Sequence, residues 1–258
     1  MNKISTLATR LGPIALAACL LAGAAPLTLA GPFGWGGEQV QGSGTIRKQA
    51  REVAHFNALS VAVPGQVELR LGNTEGVTIE TDDNLLPLIE TVVEDGALKI
   101  RPVRRNVNLQ TRTLKIVVQA RTIDRLSVAG SGAIEADTLR APKLQFDIGG
   151  SGSIAVKGIE AETVAVSVGG SGDLKAGAGT ARKLSVSIGG SGDVDLGQVQ
   201  SDTVSVSVAG SGEATVWARD ALSMTIAGSG DVNYYGDPKL SKSVVGSGSA
   251  RRIGGAPR

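Results

Sequence analysis

Apolar and small polar residues alternate strictly through the C-terminal half of the chain. Leu144-Gln-Phe146-Asp-Ile148, Val164-Ala-Val166-Ser-Val168, Leu184-Ser-Val186-Ser-Ile188, Val204-Ser-Val206-Ser-Val208 and Leu222-Ser-Met224-Thr-Ile226 share one pattern. A period of two places the apolar set on one face, so each run predicts a half-buried strand and not a helix. A Gly-Ser-Gly tripeptide follows each run, with its first glycine at Gly150, Gly170, Gly190, Gly210 and Gly228; Gly130 and Gly246 extend the series. The steps are 20, 20, 20, 20, 18 and 18 residues. A fixed period of this size marks a solenoid, whose coils cannot bury an apolar face alone and stack on one another.

A second alternating run follows the glycines, with Ile134 and Ala136, Ile154 and Val156, Leu174 and Ala176, Val194 and Leu196, Ala214 and Val216, then Val232 and Tyr234. Leu139, Ile159 and Val199 add a third apolar point, which makes the coil three-sided. A bend repeated at the same height in every coil favours glycine, which adopts positive φ without steric cost. In the two shorter coils the third side loses two residues, and Trp217, Tyr234 and Tyr235 are expected to fill the altered corner.

The same order reaches back to Leu59-Ser-Val61-Ala-Val63, Pro64-Gly65 and Val67-Glu-Leu69, with further strands expected around residues 77–80, 92–101 and 114–119. Asp82-Asp83-Asn84 ahead of Leu85-Leu86-Pro87 predicts a capped single helical turn. The expected fold is all-β, one continuous parallel β-helix of 18–20-residue coils over residues 42–253. Residues 42–129 form its irregular part, 130–253 its regular part, and 254–258 a tail. At the inward position of the last coil stands Lys242, and Arg252 replaces the Val or Leu of earlier coils. Both are expected to close that end.

The N-terminus changes the compartment. Residues 1–30 read as a secretion signal, with Lys3 and Arg10 ahead of an apolar stretch and Thr28-Leu29-Ala30 as the cleavage site. Leu16-Ala17-Ala18-Cys19 also matches a lipobox, which would leave the chain membrane-anchored through Cys19; ordinary cleavage would leave a soluble exported protein without cysteine. Residues 31–41, carrying Phe33 and Trp35, are expected to be a flexible lead-in.

Charge excludes some functions. The formal net charge of +2 falls to near zero without the leader, so nucleic acid is not an expected partner. Arg101, Arg104, Arg105 and Arg112 form a candidate anion-binding patch, set against a solvated rim of paired charges formed with the acids of residues 80–95.

Candidate chemistry is sparse. Gly189-Gly-Ser-Gly-Asp193-Val194 resembles calcium-binding nonapeptide repeats, but the required acid is Val194, so the carboxylate falls on the wrong strand face. Asp173, Asp193, Glu213 and Asp231 would form a ladder at about 4.8 Å per rung, read as corner-capping carboxylates. His55 is the sole histidine, which leaves no His cluster for a metal. Polysaccharide-cutting solenoids line a groove with aromatics, whereas this chain has two Trp, two Tyr and three Phe in no ladder. No catalytic residue, cofactor or metal is implied. Surface remains: Ser167, Ser185, Ser187, Ser205, Ser207, Ser223 and Thr225 should stack into a flat hydroxyl-rich face, a candidate contact surface for a glycan, a protein or a second sheet.

Gly42-Ser-Gly44, Phe56-Asn-Ala-Leu-Ser-Val61, Asp82-Asp-Asn-Leu-Leu-Pro87-Leu-Ile89, Gly96-Ala-Leu98-Lys-Ile100 and the later Gly-Ser-Gly-Asp repeats together resemble the head GIN domain, a bacterial auto-transporter adhesin family of unknown function. The resemblance spans about residues 42–248. It implies an exported right-handed β-helix and supplies no catalytic residue. The expected function is non-enzymatic: an adhesin-like or structural protein of the periplasm or cell surface acting through envelope glycan or protein contacts, with self-association through its edges. A polysaccharide-active enzyme on the same scaffold and an envelope-stress accessory protein are the alternatives.

Overall fold

A computed structural model describes residues 38–257 with the exception of Arg105. The signal, Cys19 and most of the lead-in therefore lie outside the described residues. The chain forms an all-β solenoid of about six turns.

The regular part follows the glycine ruler. β10 (Arg125–Gly130) is succeeded by β11 (Ala133–Gly150), β12 (Ser153–Gly170), β13 (Asp173–Ala176), β14 (Gly179–Gly190), β15 (Asp193–Gly210) and β16 (Glu213–Gly228). The last coil adds β17 (Asp231–Tyr235), β18 (Lys239–Gly246) and β19 (Ser249–Gly254). All pairings among these strands are parallel.

Phe146, Val166, Val186, Val206 and Met224 stand opposite one another from coil to coil and are buried, as are Ile148, Val168, Ile188, Val208 and Ile226. Burying such a column, at roughly 1.5–3 kcal/mol per fully buried aliphatic side chain, holds neighbouring coils in one register. Leu139, Ile159 and Val199 are fully buried on the third side. Between them the register places Gly179, which contributes no side chain.

The glycine corners have a steric cause. Gly150 has φ 115°, and a Cβ there would lie 2.6 Å from the Gly130 carbonyl of the coil beneath. Where coils shorten, Leu196 pairs with Val216 but the next pair is Gln200 with Trp217, so residues 197–199 have no opposite number in β16. Tyr235, paired with Trp217, lies against Gly197 there.

The irregular part departs from one continuous parallel winding. β3 (Ala58–Val61) and β4 (Gln66–Leu71) make a coil of the expected kind. The chain then leaves it through β5 (Gly76–Asp82) and β6 (Ile89–Glu94). It next builds an outer coil from β7 (Ala97–Pro102) and β9 (Lys115–Ala120). β3 lies between β7 and β10, and β4 between β9 and β11, so the coil formed earlier in sequence is enclosed by two later ones. β2 (Ile46–Arg51) pairs antiparallel with β5, β5 with β9, and β6 with β7. These antiparallel strands extend the sheets at the N-terminal end, where β2 and β6 are the outermost strands.

The turn after Asp82-Asp83-Asn84 is a single 3-10 turn, Leu86–Leu88, and no side chain caps it. The three polar residues accept or donate elsewhere, which corrects the expected helix cap.

Candidate contact surface

On the outer face of the first side, the register aligns Ala165, Ser185, Ser205, Ser223 and Ser241 in one row and Ser167, Ser187, Ser207, Thr225 and Ser243 in the next. Ser167, Ser185, Ser187, Ser205, Ser207, Ser223 and Thr225 are all exposed. Alternation requires this, because their chain neighbours fill the core. None of these hydroxyls bonds another group among the described residues. Beyond them lies a row of bare positions, Gly169, Gly189, Ala209 and Ala227. Within these rows no side chain is long; Lys183 and Lys239 border them on one side, and Gln145 and Asp147 continue them one coil earlier.

The other faces are charged. Arg140 pairs with Glu160, Lys157 with Asp137 and Lys175 with Asp195, each across one coil, at 2.7, 2.7 and 3.3 Å. Exposed pairs of this kind contribute about 0–1 kcal/mol each. Their greater consequence is contrast: the two hydroxyl rows from Ala165 to Ser243 carry no charge.

The arginines of the proposed anion patch go to different partners. Arg101 donates to Glu90 Oε2 at 2.8 Å and to Glu94 Oε1 at 3.0 Å across the β6–β7 hairpin. Lys99 and then Arg101 hold the Glu94 carboxyl below its usual range. Arg104 lies 3.4 Å from Glu38 on β1 (Glu38–Gln41). Arg112 is exposed beside Ser43 and Thr113 in a polar hollow. Arg105 lies outside the described residues.

The segment that sequence reasoning read as a helix cap is a clasp. Asp82 Oδ1 accepts the Gly44 amide at 2.7 Å and its Oδ2 accepts the Thr111 hydroxyl at 2.6 Å. Asn84 accepts the Ser43 amide and donates to the Gln41 carbonyl, while Ser43 donates its hydroxyl to Asp83. A Cβ on Gly42 would overlap the Asp82 carboxylate. Thr111 and the Gly44 and Asp82 amides hold the Asp82 carboxyl below its ordinary value of 3.8, against the opposing effect of burial. The pairing of Gly42-Ser43-Gly44 with residues 82–84 left a trace in sequence only as two separate motifs.

The acidic ladder caps amides one coil further on. Asp173 accepts the Asp193 amide, Asp193 the Glu213 amide and Asp231 the Ser249 amide, at 3.4, 3.2 and 2.9 Å. Among the described residues no group of three acids, histidines or cysteines is placed to hold a metal. His55 Nδ1 lies 2.7 Å from Glu75 on the surface. Pro64, Pro102, Val107 and Leu109 line a shallow apolar cleft beside the Ala129-Gly130 corner, under β8 (Val107–Gln110).

Comparison with known proteins follows the same outline. The family model described as "Putative auto-transporter adhesin, head GIN domain" matches residues 55–238. Among solved structures the chain resembles a "putative adhesin" from Bacteroides fragilis at 24% identity and TM-score 0.78, covering 83% of this chain and 100% of that one. It also resembles a "putative lipid binding protein" from Parabacteroides distasonis at 24% identity and TM-score 0.70, covering 84% and 100%. A "putative adhesin" from the same organism follows at 22% identity and TM-score 0.66, covering 84% and 100%. At these identities the likeness is one of fold. Comparison with curated proteins gives no match.

Proposed function

This chain belongs to the head GIN domain family of putative auto-transporter adhesins, and from that premise we propose that it is an exported, non-enzymatic binding protein of the cell envelope. The contact is made through the hydroxyl face of its regular coils. One observation carries this reading: two in-register rows of short, exposed hydroxyl side chains, free of charge and without hydrogen bonds among the described residues, on a molecule whose other faces are laced with ion pairs. Unfilled hydroxyls on a rigid sheet can donate to and accept from a partner at close range. Desolvating them costs far less than desolvating a charge. An envelope glycan or a protein sheet is the partner class with that complementarity. The membrane enters only if Cys19 is lipidated.

The test replaces Ser187, Ser207 and Thr225 together with Lys, leaving the buried columns untouched. Circular dichroism should match that of the parent chain, whereas retention on immobilised envelope polysaccharide and envelope protein fractions should fall at least tenfold. Unchanged retention by the folded variant would overturn the hydroxyl-face reading. Attention would then move to Arg104, Arg105 and Arg112, where loss of binding on Ala substitution with strong salt dependence would identify an anionic partner.

A further inference from the structure

The two ends of the solenoid are finished differently. At the N-terminal end the edge strands are antiparallel, β2 paired only with β5 and β6 only with β7 among the described residues, and Arg51 bridges the two edges, donating to the Leu86 carbonyl at 2.7 Å, the Ile89 carbonyl at 2.5 Å and the Thr91 hydroxyl at 3.3 Å. At the C-terminal end, β18 pairs only with β16 and β19 only with β17 among the described residues. Leu240, Val245 and Ile253 are 47%, 71% and 42% exposed, three of the five large apolar side chains in the described chain that face solvent. An uncovered strand edge offers every second backbone N–H and C=O to an incoming strand.

Charge decides what can dock there. β18 and β19 carry Lys239, Lys242, Arg251 and Arg252 and no acid. Arg252 is engaged with the Gly236 carbonyl at 2.6 Å. Lys242 stands opposite Met224 in the core column, between Leu240 and Val244, with no carboxylate partner among the described residues. A second copy presenting its C-terminal end would set these cations against themselves, and one presenting its N-terminal end would set β19 against β2, which carries Arg47, Lys48 and Arg51 and no acid, while the β6 acids Glu90 and Glu94 that would face β18 already pair with Lys99 and Arg101. Like charges brought face to face at a closing interface oppose association.

We propose that the C-terminal end is a docking site for an extended acidic segment of another protein, which adds as a strand on β18. This site does not depend on the hydroxyl face. A strand laid along β18 places alternate side chains over Leu240, Lys242 and Val244, so its inward positions read apolar, acidic, apolar. That pattern is the same in both directions, which leaves parallel and antiparallel addition equally served. Lys242 then has two effects: it repels identical strands and selects an acid.

The probe is a fluorescein-labelled peptide, Thr-Val-Thr-Glu-Thr-Val-Thr, with a counterpart carrying Lys in place of Glu, titrated by anisotropy against the purified chain. The Glu peptide should bind at least tenfold more tightly than the Lys peptide, and Lys242→Glu should reverse the preference while leaving circular dichroism unchanged. Lys242→Ala, a milder change, should abolish the discrimination. Absence of binding by both peptides, or an unaltered preference in either variant, would overturn the proposal. So would sedimentation of the parent chain as a dimer that Val245→Lys disperses, because the end would then belong to a second copy.

Discussion

The Gly44 amide donates to Asp82 Oδ1 at 2.7 Å across 38 residues of sequence. Through that contact the entry of the solenoid, just before β2, is tied to the end of β5. Thr111 completes the tie from the loop before β9. Three segments of the irregular part therefore meet on one carboxylate, and its ionisation is coupled to their packing.

The sign of that coupling follows from the direction of the shift. In the folded chain the Asp82 carboxyl lies below its ordinary value of 3.8, first because of the Thr111 hydroxyl. Its stabilising contribution is therefore present above pH 3.8 and is lost as pH falls through the folded-state value. Asp82→Asn should flatten that part of the acid-unfolding curve followed by circular dichroism. Glu94 and Asp231 are also held low and would leave a residual slope. Identical acid-unfolding curves for parent and variant would show that the clasp does not contribute.

The buried column gives a larger effect. Val186 is 1% exposed between Val166 and Val206. Val186→Asp would bury a carboxylate among aliphatic side chains without a partner, which belongs to the class costing more than about 4–5 kcal/mol. Loss of soluble protein, or a collapse of the urea midpoint, is the expected outcome. A variant of near-parental stability would mean that Val186 does not face the core.

Gly150→Ala probes the corner. The substitution places a Cβ 2.6 Å from the Gly130 carbonyl at a residue with φ 115°. Both the clash and the left-handed backbone oppose it, and strain of this kind costs of order 1–3 kcal/mol. Urea unfolding should report that loss, while Ala at the exposed Ser151 beside it should change stability by less than about 0.5 kcal/mol.

These sites were legible in sequence to different degrees, for physical reasons. Val186 and Gly150 announce themselves, because a period-two pattern on a twenty-residue ruler leaves one register in which every apolar residue is buried. The enclosure of the β3–β4 coil between two later ones was not legible. Leu59, Val61, Val67 and Leu69 alternate as the other coils do, and alternation says which face is buried without saying which coil lies next door. Asp82 was misread because an aspartate ahead of a proline-containing turn accepts amides equally well from that turn or from a distant loop. For Arg101 the sequence left two readings, an arginine patch or pairing with the acids of residues 80–95, because which acids reach it depends on the β6–β7 hairpin that brings Glu90 and Glu94 across. The hydroxyl rows were legible because they are the complement of the core pattern.

The last prediction concerns association. Lys242 occupies the inward column directly after Met224, and Arg252 follows Tyr234 on the second side. If both become Leu, the C-terminal end presents a continuous apolar surface with Leu240 and Val244, bounded by two open strand edges. Nothing charged then remains at the inward positions of β18 to oppose pairing with another copy. Terminal coils of stacked repeats need a polar closing surface for this reason. The double variant should sediment as concentration-dependent dimers or longer assemblies where the parent chain stays monomeric, and Val245→Lys added to it should restore the monomer. A double variant that stays monomeric throughout would show that Lys242 and Arg252 do not limit growth at this end.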